Sequence, residues 1–264
     1  MGYPPTIVCI VPGRRRLGDD KRSCPSWERA LDQAISKDKS DLLRRMSPDD
    51  FALLAPHLHN RFLDLRESVE SAGEPIKSVC FFESGLASVV ASNRPGLDTE
   101  VGIIGREGMS GSALVMGADW APNDCYIQMT SEAVCMEAAP FNAALQASPT
   151  LRAFLLRYVH YLHIQTRSTA LSNARAKLED RLARWLLMCD DRTTGDQIRI
   201  THEFLAIMLG VRRPGVTIGL QMLEGRGLIR SRRGEITIRD RDGLISVAEG
   251  FYGQAEADYD RLLG

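Results

Sequence analysis

The chain has 264 residues, 44% of them hydrophobic and 25% charged, with a formal net charge of −1. That balance excludes a disordered or fibrous protein, and the length predicts two domains in preference to one. The longest early apolar run, residues 6–11, is too short for a signal-peptide core and precedes its basic cluster at 14–16, so the expectation is a cytoplasmic protein with no membrane segment.

Residues 1–40 are rich in charge, proline and polar side chains and are expected to form a loosely ordered arm. Residues 40–54 predict a helix pair, the second capped by Ser47, packing Phe51, Leu53 and Leu54 inward and stopped by Pro56. From 61 to 140 the pattern changes to short alternating segments broken by glycine and proline: 61–69, 78–83, 86–92, 99–104, 126–130 and 133–137. Repeated short strands between turn residues predict a sandwich or barrel.

The six cysteines, at 9, 24, 80, 125, 135 and 189, form no C-x2-C pair and have no histidine at ligand spacing. They read as reduced, buried thiols, with no metal site and no cofactor. His160 and His163 lack a third ligand and read as surface or interface histidines.

Residues 141–189 form a long helical stretch reached through Ser148-Pro149. Leu151, Leu155, Tyr158 and Leu162 recur at alternating spacings of four and three, the pattern of a two-stranded coiled-coil seam, which predicts a homodimer. The alternative is a monomeric core helix packed on the barrel. The seam weakens through Gln165, Thr169 and Ser172; after Asn173, Leu178, Leu182, Trp185 and Leu186 resume on a different face, marking the passage to another domain.

Residues 200–224 predict a helix-turn-helix. Thr201 caps a first helix whose apolar stripe includes Phe204, Leu205, Met208 and Leu209. Gly210 ends it, since glycine takes φ > 0 without a Cβ clash, and Val211 fills the angle between helices. A second helix runs from about Arg213, with Pro214 where a helix start tolerates proline. Leu205, Leu209, Val211, Val216, Leu220 and Leu223 then share one core, while Pro214, Thr217, Ile218 and Gln221 point away, with Arg212 and Arg213 at the N-terminal end that would enter a major groove. Leu228-Ile229 and Ile236-Thr237-Ile238 flank a basic turn containing Arg230, Arg232 and Arg233, the pattern of a wing. From 198 to 242 nine arginines face five acids, so this segment is +4 and the remainder of the chain −5. Basic charge concentrated on one element is the footprint of a phosphate-binding surface. An ordinary helical hairpin with two solvated arginines is the competing reading of the helices alone.

At Ile200-Thr201, Leu205-Ala206, Leu209-Gly210, Arg213, Val216, Leu220, Met222-Leu223-Glu224, Gly227-Leu228-Ile229 and the wing, the chain resembles the Crp/Fnr family of bacterial transcription regulators. The resemblance implies an α+β fold: a jelly-roll β-sandwich sensor domain over 41–147, a dimerisation helix over 148–175 and a winged helix-turn-helix over 176–264. It implies that Arg213 reaches a guanine edge. Ile218 replaces a second family arginine and Pro214 an intervening glutamate, so the operator need not be the family's usual one. Some members hold an iron–sulfur cluster through closely spaced N-terminal cysteines, and Cys9 and Cys24 are too far apart to match.

Residues 78–85 look like the family strand-turn that ends in a fixed glycine, and 106–111 like its phosphate-binding cassette. Cyclic-nucleotide binders need a glutamate after the cassette's second glycine and an arginine–serine pair farther on. Ser112 and Asn123-Asp124 stand there, so no cyclic nucleotide is expected; a pocket around Phe82, Gly85, Gly108, Met109, Gly111, Ser112, Asn123 and Asp124 is left for an unknown small-molecule effector. The expected function is a homodimeric transcription regulator that reads paired half-sites of double-stranded DNA with Thr201, Arg212, Arg213, Thr217, Ile218, Gln221, Arg230, Arg232 and Arg233, with RNA polymerase as a further partner. No G-x-S-x-G, P-loop, G-x-G-x-x-G or paired-histidine metal motif suggests catalysis. The alternative is a protein-interaction module with a jelly-roll sensor and no sequence-specific DNA binding.

Overall fold

The computed structural model describes residues 35–93, 98–193, 195 and 197–264, which fall in one compact unit. The expected arm lies outside the described residues as far as residue 34, and so do Cys9 and Cys24.

Two short helices come first, α1 (Asp41–Arg45) capped by Ser40 and α2 (Pro48–Leu54) capped by Ser47, whose Oγ accepts the Asp50 N–H at 3.2 Å. The expected inward face needs correction, because Leu54 is buried and Phe51 half-buried but Leu53 is exposed. Asp50 is buried instead, its Oδ1 receiving the hydroxyls of Ser148 and Thr150 at 2.6 and 2.8 Å. Pro56 does not stop the chain abruptly; a 3-10 turn, Ala55–His57, carries it on.

The sandwich follows as β1 (His59–Leu63), β2 (Ser68–Glu70), β3 (Ser78–Phe82), β4 (Leu86–Ser92), β5 (Asp98–Ile104), the one-turn helix α3 (Ser112–Met116), β6 (Asp124–Met129) and β7 (Ser131–Glu137). One antiparallel sheet has the order β1-β7-β3 and the other β2-β6-β4-β5. The single strand expected over 61–69 is therefore two strands, one in each sheet. Arg66, at φ 70°, turns the corner, with its N–H on Ile127 O at 2.8 Å. Leu63, Phe82, Ile104, Ile127 and Ala133 fill part of the core.

Cys80 and Cys135 lie opposite each other on β3 and β7 and form a disulfide, which corrects the reading of these two as reduced thiols. Their separation of 55 residues hides the pairing, which only the strand register creates. Cys125 and Cys189 are free and buried.

Helix α4 (Ala138–Ala147) leads into α5 (Pro149–Arg175) and α6 (Leu178–Arg192). Leu151, Leu155 and Tyr158 have 0% exposure and pack in the chain's own core with Met109, Val134 and Phe141, while Leu162 is half-buried. Leu151, Leu155 and Tyr158 are therefore not available as a seam for a second copy. Three-four spacing marks an apolar helix face without saying which surface covers it. The helix also runs past Asn173 and breaks at Ala176-Lys177, where Asp180 Oδ2 accepts the Lys177 N–H at 3.0 Å to start α6.

The C-terminal part consists of β8 (Gln197–Arg199), α7 (His202–Met208), α8 (Arg213–Gly225), β9 (Ile229–Arg232), β10 (Glu235–Ile238), α9 (Arg241–Val247) and α10 (Gln254–Leu263). One apolar cluster joins Leu86, Val90 and Ile103 of the second sheet to α6, α7 and α8. Helix α10 returns to α5: the Tyr161 and Tyr259 rings meet edge-on at 4.8 Å, and Arg157 Nε donates to Leu262 O at 2.9 Å. Among the described residues no helix is long and apolar enough to cross a membrane.

Candidate nucleic-acid interface and adjoining cavity

Helix α7 starts at Thr201, whose Oγ1 accepts the Phe204 N–H at 3.2 Å, so this residue acts as a cap. Gly210 takes φ 59° in the turn that follows, a conformation that suits glycine. Leu205, Leu209, Val216, Leu220 and Leu223 are buried together, and Val211 packs partly buried against them. Arg181 donates to Leu209 O and so caps the C-terminal end of α7 with a cation.

That core leaves one face of α8 outward. Arg212 and Arg213 are exposed at its start, Gln221 is exposed, and Ile218 is 57% exposed. Thr217 is less free, since its hydroxyl bonds Arg213 O at 3.2 Å and His202 Nδ1 at 3.0 Å. Met222, one turn after Ile218 and 49% exposed, extends this face beyond the residues that the sequence assigned to it. Its spacing of four from Ile218 could have placed it.

The wing pairs β9 with β10 in antiparallel register, and β8, which the sequence reading did not anticipate, adds a third strand. The register sets Arg199 and Arg232 on either side of Glu235, and Arg230 beside Thr237. Arg230, Arg232 and Arg239 line one shallow depression with Gln197, and Arg233 is exposed at the hairpin turn. The sheet thus gathers cations from both ends of the segment. Arg241, counted among the nine arginines, is committed elsewhere, to Asp190, Asp191 and the Tyr252 hydroxyl.

A cavity of about 360 Å³ lies between the second sheet and α5. Of the expected effector residues, Ser112 and Asn123 line it. Phe82 is buried between the sheets, and Gly85 packs tightly on Thr130 and Ser131. Gly108 abuts the Tyr158 ring, and Met109 is fully buried, its N–H and carbonyl both bonded to the Tyr158 hydroxyl at 2.9 and 3.0 Å. Asp124 Oδ1 accepts the Ala72 N–H at 2.8 Å, and Gly111 donates to Glu70 Oε1 at 2.6 Å. The expected set therefore mostly builds the walls behind the cavity. Its surface comes instead from Glu70, Val89, Ile104, Val159, Leu162, His163 and Thr166, which no sequence spacing brings together.

Two buried polar groups anchor helices on the second sheet. Gln165 is fully buried; its Oε1 accepts the Ile103 N–H at 2.8 Å and its Nε2 donates to Ile103 O at 3.2 Å, so α5 completes the open edge of β5. Gly102 leaves the room, since a Cβ there would sit 2.9 Å from Gln165 Oε1. Glu100 is buried beneath α6, accepting from Ser88 Oγ at 2.6 Å and Trp185 Nε1 at 2.7 Å; burial pushes its carboxyl up to about 7.

Residues 180–247 match the Crp-like helix-turn-helix domain family. No curated protein matches the sequence. Among solved structures the chain is similar to a transcriptional regulator of Eubacterium rectale assigned to the Crp/Fnr family, at TM-score 0.64 and 16% identity, covering 81% of this chain and 100% of that one. It is similar to FixK2 from Bradyrhizobium japonicum, at TM-score 0.63 and 14% identity, covering 72% and 96% of the two chains. It is also similar to CLP from Xanthomonas campestris, described as a c-di-GMP responsive global regulator, at TM-score 0.59 and 19% identity, covering 73% and 99%. At these identities the likeness establishes the fold, that of Crp/Fnr-type DNA-binding transcription regulators.

Proposed function

We propose that this chain, which has the Crp/Fnr regulator fold and carries a Crp-like helix-turn-helix domain, is a cytoplasmic, homodimeric transcription regulator that reads paired half-sites of double-stranded DNA without depending on a cyclic nucleotide. Residues 41–147 serve as the sensor domain, 148–175 as the dimer helix and 176–264 as the DNA-binding domain. The observation that carries the reading is the outward face of α8, with Arg212 and Arg213 exposed at its N-terminal end, flanked by a wing sheet bearing Arg199, Arg230, Arg232 and Arg239.

Pairing is assigned to the solvent side of α5. There Leu156, His160, His163, Arg167, Leu171 and Ala174 are exposed, and the two leucines are apolar groups left 42% and 56% open on that helix. Independence from cyclic nucleotides is supported by the cavity, whose lining among the described residues includes a carboxylate and no arginine or lysine. RNA polymerase as a further partner belongs to the same reading.

The test is a salt titration of binding to duplex DNA. A phosphate-contacting protein loses affinity with a log–log slope of about −0.9 per neutralised phosphate. A flat profile, or no retention at low salt, would favour the protein-interaction reading over this one.

A further inference from the structure

The cavity beside α5 has a charge pattern of its own. Glu70 reaches it from β2, half-buried, and its Oε1 accepts the Gly111 N–H at 2.6 Å, at the start of α3. The backbone donor at that position is therefore already taken by the protein's own carboxylate. Glu70 Oε2 has no hydrogen-bond partner among the described residues. Among the described residues no arginine or lysine lines the cavity, whose wall is aliphatic at Val89, Ile104, Val159 and Leu162 and polar at Ser112, Asn123, His163 and Thr166. Burial raises the Glu70 carboxyl above its ordinary value, and the Gly111 N–H only partly offsets that. Among the described residues this carboxylate is paired with no arginine or lysine, and it repels an anion brought near it. A cavity of about 360 Å³ is at the small end of ligand sites, which run from about 300 to 1,000 Å³.

We propose, resting on the regulator reading above, that this cavity takes a small, mainly apolar molecule bearing a protonated amine, and that Glu70 receives the ammonium group while the aliphatic wall holds the rest. An ammonium supplies the missing cation and donates to the second carboxylate oxygen, and no phosphate is needed.

The test uses three probes of one skeleton, 2-phenylethylamine, 2-phenylethanol and phenylacetate, titrated calorimetrically into the full chain without DNA. The amine should bind saturably and at least about tenfold more tightly than phenylacetate, the worth of one charge-assisted hydrogen bond. Glu70→Gln, which keeps an acceptor for Gly111, should abolish that preference. Leu162→Trp, which fills the cavity, should remove binding of all three probes while leaving Glu70 in place. Absence of amine binding, equal or tighter binding of phenylacetate, or an unchanged preference in Glu70→Gln would each overturn the proposal. DNA retention by the same ligand-free samples is scored separately. Its loss in the wild-type chain would sink the regulator reading, and its persistence alongside any of the contrary titrations would sink only the ligand assignment.

Discussion

Glu107, in the turn between β5 and α3, pairs with Arg192 in the last turn of α6 at 2.6 Å, with side-chain exposures of 11% and 3%. Burial alone would lower the Arg192 pKa, but Glu107 beside it outweighs that and holds the guanidinium charged. Arg192 also donates to the Tyr161 hydroxyl at 2.6 Å, and the Tyr259 hydroxyl donates to Glu107 O at 2.9 Å. The turn between β5 and α3, the long helix α5, α6 and the C-terminal helix α10 therefore meet at one polar knot. Removing one partner of such a pair leaves a buried charge, so Glu107→Ala should lose about 3–5 kcal/mol in denaturant unfolding. Arg199→Ala, which breaks an exposed pair with Glu235, should change stability by about 0–1 kcal/mol.

Glu100 gives a prediction with a sign. Its folded-state pKa, about 7, lies above the ordinary 4.5, so the folded state binds a proton that the unfolded chain releases. The contribution to stability is full below about pH 4.5 and declines as pH rises through about 7. Arg184 and Arg192 nearby favour the charged form without cancelling burial. Unfolding measured from pH 5 to 8 should show wild type losing stability relative to Glu100→Gln across that window. Parallel curves for the two proteins would remove Glu100 as the cause.

Leu155 and Leu156 are neighbours in sequence with opposite fates, 0% and 42% exposed. Leu156→Glu should leave a folded protein whose light-scattering mass falls to the monomer value. Leu155→Glu should destabilise the fold itself by several kcal/mol, because the new carboxylate would lie in the core. A dimer that survives Leu156→Glu would move the interface off this face.

Arg213 and Arg232 should fail in different ways. Losing a bidentate arginine–guanine contact costs about 1–3 kcal/mol of discrimination, whereas losing a phosphate contact reduces the salt slope by about one unit. Competition binding should therefore show Arg213→Ala with reduced preference for its site, and Arg232→Ala with weaker binding to all sequences alike. Unchanged discrimination in Arg213→Ala would show that α8 is not the reading helix.

The sequence was most legible where the signal is local. Capping by Ser47 and Thr201, the turn at Gly210 and the strand over 86–92 each depend on a few neighbouring residues, and the structure has them in place, although Leu86, Ala87 and Ser88 are all buried where alternation was expected. The α8 face was readable for the same reason, since a helix period assigns each side chain a direction. What escaped were pairings across the fold. Nothing near Cys80 announces Cys135, and nothing near Glu70 announces Gly111 and α5. The seam at Leu151, Leu155 and Tyr158 was apolar as expected, yet its partner is the chain's own core. Gln165 read as a defect in that seam and is instead the group that satisfies the edge of β5.

The most direct test of DNA reading is selection from a random duplex library by the purified full chain at physiological salt, followed by sequencing of the bound fraction. The account predicts enrichment of an inverted pair of half-sites whose centres are separated by about 10–10.5 base pairs or a multiple of that. Bound DNA with no enrichment over the input library would contradict it.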